Sequence, residues 1–288
     1  MVQTTPGNAE ALEAWDGVLF DRFVEYRDQV VTALGSHGDR ALELDPPRPG
    51  EHLLDIGCGF GDMSQQLAAA VGPAGHVTGV DASARFVAAS RAEAAAAGVT
   101  NVDFLAADVQ VGDLGGPYDA AYSRMGTMFF ANPVLALRNV AATLKPGGRL
   151  CMVVWRRKLD NEWVLLAEQV AERHLTHPDE TDEPTCGPGP FSMANADTVC
   201  DVLHHAGFRD TTLHRVDLPV LAGRDVDAAT DFVMALGPAG ELIRVNGAAA
   251  EPLRPLIEAE IKAAFRPLLT PDGVLTGSST WVVTAVRA

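Results

Sequence analysis

Apolar and polar positions follow two periods along this chain. Seven short apolar runs read as strands: His52–Gly57, His76–Asp81, Val102–Asp108, Tyr118–Arg124, Arg149–Trp155, Thr211–Leu218 and Thr280–Val286. The first five are nearly continuous in apolar character, as expected of strands buried on both faces. Helical spacing fills most of the gaps. After Gly61, Met63, Leu67, Ala70 and Val71 fall close to one face. Ser83 stands as a cap before the Ala-rich run Ala84–Ala97, and Asn132-Pro133 pairs a cap with proline at the first helical position. Pro146-Gly147-Gly148 stops that helix, and Gly207 closes a further stripe of Val199, Leu203 and Ala206. Strands alternating with helices predict an α/β fold with a parallel sheet covered on both faces.

Three stretches break this rhythm. Residues 1–50 carry Trp15, Phe20, Phe23 and Tyr26 and end in Pro46-Pro47-Arg48-Pro49-Gly50, which predicts an N-terminal helical cap segment and a stiff linker. Residues 157–190 hold a helical piece around Val164–Leu175, then an acidic loop through Gly187-Pro188-Gly189-Pro190. Residues 219–279 carry two helical patterns, near Ala228–Leu236 and Pro252–Phe265. The expected organisation is a core of 51–218 plus 280–288, with 157–190 inserted in it. The 219–279 segment is a second, helical insertion, read as a lid over the substrate side. An interface in a homodimer is the alternative for that segment.

Composition narrows the function classes. The chain has 288 residues, 47% hydrophobic and 21% charged, as in soluble globular proteins. No apolar run approaches the length of a membrane span, and the first residues have neither the basic start nor the apolar stretch of a secretory signal. The net charge of −16 opposes broad contact with nucleic acid or an anionic membrane. Cys58, Cys151, Cys186 and Cys200 show no metal-ligand spacing and read as free thiols of a reducing cytoplasm, so no metal is expected.

The chemistry concentrates at strand ends. Leu53-Leu54-Asp55-Ile56-Gly57-Cys58-Gly59-Phe60-Gly61 is a strand running into a glycine-rich turn and a helix. Glycine lets the backbone take positive φ and approach a ligand, and the helix offers unpaired N–H groups. A dinucleotide site would show G-x-G-x-x-G. Here the spacing is G-x-G-x-G, with Asp55 before the turn and Asp62 after it. Carboxylates there oppose a pyrophosphate and suit an ammonium and a sulfonium, the charges of S-adenosylmethionine. Asp81 ends the second strand, where a carboxylate accepts from both ribose hydroxyls. Asp108, after the third, can accept from the adenine amine.

With these residues in place the chain resembles the class I S-adenosylmethionine-dependent methyltransferases. Within them it is similar to the bacterial small-molecule branch related to the ubiquinone/menaquinone methyltransferases. The resemblance rests on Leu53–Gly61, Val80-Asp81, Ala107-Asp108, Tyr118–Phe130, Leu144–Leu150 and Gly187–Phe191, plus the last strand with Trp281. It implies a Rossmann-like seven-stranded sheet in order 3-2-1-4-5-7-6 with strand 7 antiparallel. It also implies cofactor contacts from Asp55, Gly57, Cys58 and Gly59 at the methionine part, Asp81 and Ala82 at the ribose, and Asp108 and Val109 at the adenine. Ser123 would lie near the transferred methyl. The activity implied is in-line methyl transfer to a small-molecule, secondary-metabolite-like acceptor, with S-adenosylhomocysteine as product. Two other readings stand beside it: a protein that binds this cofactor without transferring methyl, and a nicotinamide-dependent oxidoreductase.

Trp15, Phe129 and Trp163 are the candidate substrate contacts, with Met125, Met128 and Phe130 beside Phe129. Arg124 can hold an anion, either the methionine carboxylate or part of the substrate. No catalytic base is singled out. His174, His177, Asp160 and Glu162 are in the right part of the chain to act as one.

Overall fold

The computed structural model describes residues 2, 4, 8–177 and 189–288. Its centre is a mixed sheet of eight strands, seven of them in the order β3-β2-β1-β4-β5-β8-β6. The strands are β1 (His52–Ile56), β2 (His76–Asp81), β3 (Val102–Ala106), β4 (Tyr118–Arg124), β5 (Leu144–Trp155), β6 (Phe208–Gly223), β7 (Leu269–Thr270) and β8 (Gly273–Arg287). The first five pair in parallel, and β8 lies antiparallel between β5 and β6. This is the order the family resemblance implies, with the two-residue β7 added on β8. Leu53, Leu54, Ile56, Val77 and Val80 have no exposed surface, which is why β1 and β2 read as continuous apolar runs.

Helices cover both faces. On one side α4 (Asp62–Val71) and α5 (Ala84–Ala96) pack over β1–β3. The layer continues with α3 (Arg27–Leu44), which buries Ala33, His37 and Ala41 on the side that meets β4–β6 and β8. On the other side α6 (Pro133–Thr143) packs with α8 (Ala196–Ala206). The caps follow the sequence signals. Ser83 Oγ accepts from Phe86 N at 3.2 Å, Asn132 Oδ1 accepts from Leu135 N at 2.9 Å, and Gly207 closes α8 at φ 92°. His204 and His205 end α8, away from the sheet's ligand-bearing rim.

Two features depart from the sequence expectation. The strands β6 and β8 run past the sheet, so 219–223 and 273–279 are strand, paired through Val220↔Thr276 and Gly223↔Val274. Thr276-Gly277-Ser278-Ser279 carries no apolar signal because its side chains make buried polar contacts. Ser278 Oγ donates to Leu218 O at 2.8 Å and meets His37 Nε2 at 2.8 Å. Between the two arms lie three helices rather than two: α9 (Val226–Leu236), α10 (Pro238–Asn246) and α11 (Arg254–Phe265). Gly237-Pro238 looks like a break in sequence, but the proline occupies the first turn of α10, where its missing N–H costs nothing.

These helices have a core of their own. Phe232, Val233, Leu242, Ile243, Ile257, Ile261 and Phe265 bury against each other and against α7 (Glu162–Ala171) and Val30. Leu34 and Trp163 pack on both this cluster and the sheet core. The N-terminal α1 (Ala9–Asp16) and α2 (Val18–Glu25) lie beside α5 and α3. No helix among the described residues is long and apolar enough to cross a membrane. Cys58, Cys151 and Cys200 are free thiols. Cys186 and most of the loop through Gly187-Pro188 lie outside the described residues, so the Gly187–Phe191 motif is described only from Gly189 onward.

Candidate active site

The carboxyl ends of the parallel strands open into a cavity of about 410 Å³. One wall is the turn after β1. Gly57 has φ 68°, and a Cβ there would lie 2.9 Å from Gly126 Cα, so glycine lets this turn touch the chain leaving β4. Gly59 has φ 54° with nothing within 4 Å of a Cβ, and it lines the cavity. A ligand can therefore approach the backbone at Gly59.

Asp81, Ala82, Asp108, Val109 and Cys58 line the same wall. Asp81 Oδ2 accepts from Gly59 N at 3.1 Å and Oδ1 from Ser83 N at 2.9 Å, which fixes the carboxylate in place. Burial pushes its pKa up to about 6, against those N–H groups. Asp108 is 2% exposed and accepts from Asn8 Nδ2 at 2.9 Å, from Thr4 Oγ1 at 2.8 Å and from Gln110 N at 3.0 Å. Desolvation works to raise its pKa, but the Asn8, Gln110 and Thr4 donors hold it below the usual carboxylate range. Burial, with Asp81 and Asp55 nearby, pushes the Cys58 thiol up, so it is not a thiolate.

Two candidates are absent from the wall. Asp55 is 1% exposed and its Oδ2 accepts from Ser64 Oγ at 2.5 Å, tying β1 to α4. Burial pushes its pKa to about 6, against the Ser64 hydroxyl and Arg124. Ser123 is fully buried and donates to Ile56 O at 2.8 Å, tying β4 to β1. Both hold the turn from behind, and neither lines the cavity.

The opposite walls are apolar. Trp15, Phe129 and Trp163 all line the cavity, together with Trp155 of β5 and Phe232 of α9. Trp15 and Phe129 meet edge to face at 4.9 Å, and Trp163 stacks on Phe232 at 5.8 Å and 17°. Met125, Met128 and Phe130 join them, as do Leu236 and Glu241 of α9 and α10. Arg124 reaches the cavity from the end of β4 and pairs with Asp62 Oδ2 at 2.6 Å.

The candidate bases are elsewhere. His174 Nε2 lies 3.2 Å from Glu260, and His177 pairs with Glu172 at 2.9 Å. Asp160 is held by Arg157, and Glu162 accepts from Gly277 N at 2.9 Å. None of the four lines the cavity. Asn8 and Arg22 do, and no sequence signal singles out either. They come from a helical segment whose only visible pattern was aromatic.

A turn backed by buried carboxylates, with Asp81 and Asp108 at successive strand ends of this sheet order, defines a class: the nucleoside-binding sites of class I methyltransferases. The comparisons agree. The family model described as "Methyltransferase domain" matches residues 47–207. A nocamycin O-methyltransferase of Saccharothrix syringae is 33% identical over 201 residues, covering 64% of this chain and 68% of that protein. A ubiquinone/menaquinone biosynthesis C-methyltransferase of Ectopseudomonas mendocina is 34% identical over 116 residues, covering 39% and 44%. A solved putative methyltransferase of Bacillus halodurans C-125 shares the fold at TM-score 0.55 and 15% identity, covering 87% of this chain and 98% of its own. The chain belongs to the S-adenosylmethionine-dependent methyltransferase family. It spans about half or less of the length of most curated relatives it matches.

Proposed function

We propose that this protein transfers the methyl group of S-adenosylmethionine to a small, largely apolar acceptor. One observation carries the reading: a single cavity joins the Gly57–Gly59 turn, Asp81 and Asp108 to the walls built by Trp15, Phe129, Trp163 and Phe232. The donor set fits the cofactor. Carboxylates at Asp81 and Asp108 offer acceptors to ribose hydroxyls and an adenine amine, and the open face at Gly59 leaves room for a bound chain. An acid-lined turn is a poor seat for pyrophosphate, which argues against a nicotinamide cofactor.

Bound there, S-adenosylmethionine supplies an already activated methyl group. The protein's own task is then positioning, which can contribute about 7–11 kcal/mol in favourable cases. Asp81, Asp108 and Gly59 would orient the cofactor, and the aromatic walls would orient the acceptor and exclude water. The described residues that line the cavity include no histidine, lysine or tyrosine, so an acceptor with an acidic or already ionised group suits it best. The name of the nocamycin O-methyltransferase, a relative matched over 201 residues, supports a secondary-metabolite acceptor and an oxygen atom, while that of the ubiquinone/menaquinone relative supports carbon. The net charge of −16 favours a small molecule over nucleic acid. We further propose that α9 and α10, which line the cavity, act with α1 and α2 as its lid.

The test is transfer of labelled methyl from S-adenosylmethionine to a library of aromatic and polyketide-like acids, phenols and enols. Label in an acceptor, with stoichiometric S-adenosylhomocysteine, supports the reading. Tight S-adenosylhomocysteine binding with no transfer to any compound class would make the chain a binding protein instead.

A further inference from the structure

Met125 directly follows β4 at its carboxyl end and has φ 61°. Among the described residues, only Met125 and Asp210 take positive φ without being glycine. Asp210 sits at a bulge of β6, and aspartate tolerates this conformation better than most residues. Methionine has no polar group to compensate, so its backbone is strained there. The bend itself is dictated by the sheet. Met125 N donates to Val153 O at 3.0 Å, extending the β4–β5 ladder. The next residue, Gly126, lies against the turn after β1, where a Cβ on it would come within 2.8 Å of Ile56 O and 3.1 Å of Gly57 Cα. The chain must turn sharply between these two contacts, and glycine at 125 would do so without strain. The methionine that stands there instead lines the cavity and is 8% exposed. Nearby Met128 is committed elsewhere, since its Sδ accepts from Trp155 N at 3.3 Å.

In the row of strand ends, β4 lies between β1 and β5. Met125 thus stands between the Gly57–Gly59 turn and Trp155, both of which line the cavity. Beyond Trp155 come Trp163, at 5.7 Å, and the Phe232 ring stacked on it. Met125 therefore marks the border between the cofactor wall and the aromatic wall, which a transferred methyl group has to cross. We propose that Met125 is a specificity-determining residue for the acceptor, holding the face of a flat aromatic ring system at that border. The inference rests on the methyltransferase reading above. A thioether is flexible and polarisable and packs favourably on aromatic rings, which suits it to this contact.

The experiment compares wild type with Met125→Gly, Met125→Ala and Met125→Leu. Thermal unfolding tests the backbone. Glycine relieves the left-handed strain and alanine keeps it, so Met125→Gly should have the higher Tm of the two, the reverse of the usual order. Calorimetry measures S-adenosylhomocysteine and then, with it saturating, 2-naphthol and decahydro-2-naphthol, which has the same carbon skeleton without the flat ring face. Wild type should prefer 2-naphthol. Met125→Gly and Met125→Ala should lose about fivefold or more in 2-naphthol affinity, and less for the saturated compound, with S-adenosylhomocysteine unchanged. Met125→Leu refills the volume and should restore most of the loss. Unchanged 2-naphthol affinity in the folded glycine and alanine variants overturns the proposal, as does a wild type that fails to bind or to prefer 2-naphthol. An equal loss for S-adenosylhomocysteine would make Met125 part of the cofactor wall and overturn it too. So would a Met125→Ala variant as stable as Met125→Gly, because the strain would then be absent. Failure of wild type to bind S-adenosylhomocysteine overturns the methyltransferase reading, and this inference with it.

Discussion

Replacing Asp81 with alanine removes the carboxylate expected to accept both ribose hydroxyls. Hydrogen bonds to a charged group contribute about 1.5–3 kcal/mol each, so two of them set a gross scale of about 3–6 kcal/mol. Near pH 8 the loss of S-adenosylhomocysteine affinity should exceed tenfold, which is about 1.4 kcal/mol. The pH dependence sharpens the test. Burial pushes the Asp81 pKa to about 6, and it is the ionised form that accepts hydrogen bonds best. Wild-type affinity should therefore hold above that pH and fall towards tenfold per unit below it, while Asp81→Ala loses this component. Stability runs the opposite way. A carboxyl raised from 3.8 contributes stability that is present below about pH 4 and lost as pH rises through about 6. Removing it should leave the variant no less stable at pH 8, apart from the orphaned Gly59 and Ser83 N–H groups. Titration calorimetry at several pH values, with thermal unfolding on the same samples, reads both. An Asp81→Ala variant with wild-type affinity, or with the wild-type pH slope, would refute the reasoning.

Further outcomes follow from other parts of the molecule. Gly57→Ala should lower Tm more than Gly59→Ala, because both pay the left-handed strain of about 1–2 kcal/mol but only Gly57 meets backbone, Gly126 Cα at 2.9 Å; equal Tm values would contradict this. Gly59→Val should abolish S-adenosylhomocysteine binding in calorimetry while the protein remains folded, and methyl transfer at the wild-type rate would make the turn structural only. His37, fully buried between Ser278 and Thr280, has its pKa lowered by burial to about 4, against Asp217. Its contribution, up to about 3 kcal/mol, is present above about pH 6.5 and lost as pH falls through 4. Denaturant titrations of wild type and His37→Gln should therefore converge towards acid pH, and parallel curves would exclude it. Hydrogen exchange with cofactor product and acceptor should protect 228–241; protection of the turn and Asp81 alone would argue against a lid.

The strands and the acids and glycines at their ends were legible because each is a local pattern, whereas the sheet order came only with the family resemblance. A strand ending in Gly57-Cys58-Gly59, and acids at Asp81 and Asp108, need only neighbouring residues to be seen. What stayed hidden depends on distant partners. Asp55 looks like a ligand in sequence, yet its carboxylate is taken by Ser64, nine positions on. Ser123 is taken by Ile56 O from another strand. The polar run 276–279 reads as loop because its partners, His37 and Leu218, are far away in the chain. Asn8 reaches Asp108 across 100 residues, and nothing in its own surroundings announces it. The stripes of α9 and α11 were visible, but not that α7 would complete their core.

The paired arms of β6 and β8 have a consequence for how such a protein changes over time. Three helices hang from two hydrogen-bonded strands that meet at Gly223 and Gly273, where a Cβ on Gly223 would strike Ala229 N at 2.3 Å and one on Gly273 would strike Gly223 O at 2.5 Å. Those junctions fix the attachment, and beyond them the helices pack on one another, on α7 and on Val30. Mutations at Leu236 or Phe232 reshape the far wall without disturbing the strand ends that carry Asp81 and Asp108. Selection can thus rework one half of the cavity as an exchangeable module. A transplant cut at the two glycines, exchanging 224–272 between relatives, should carry acceptor preference with it and leave cofactor affinity behind.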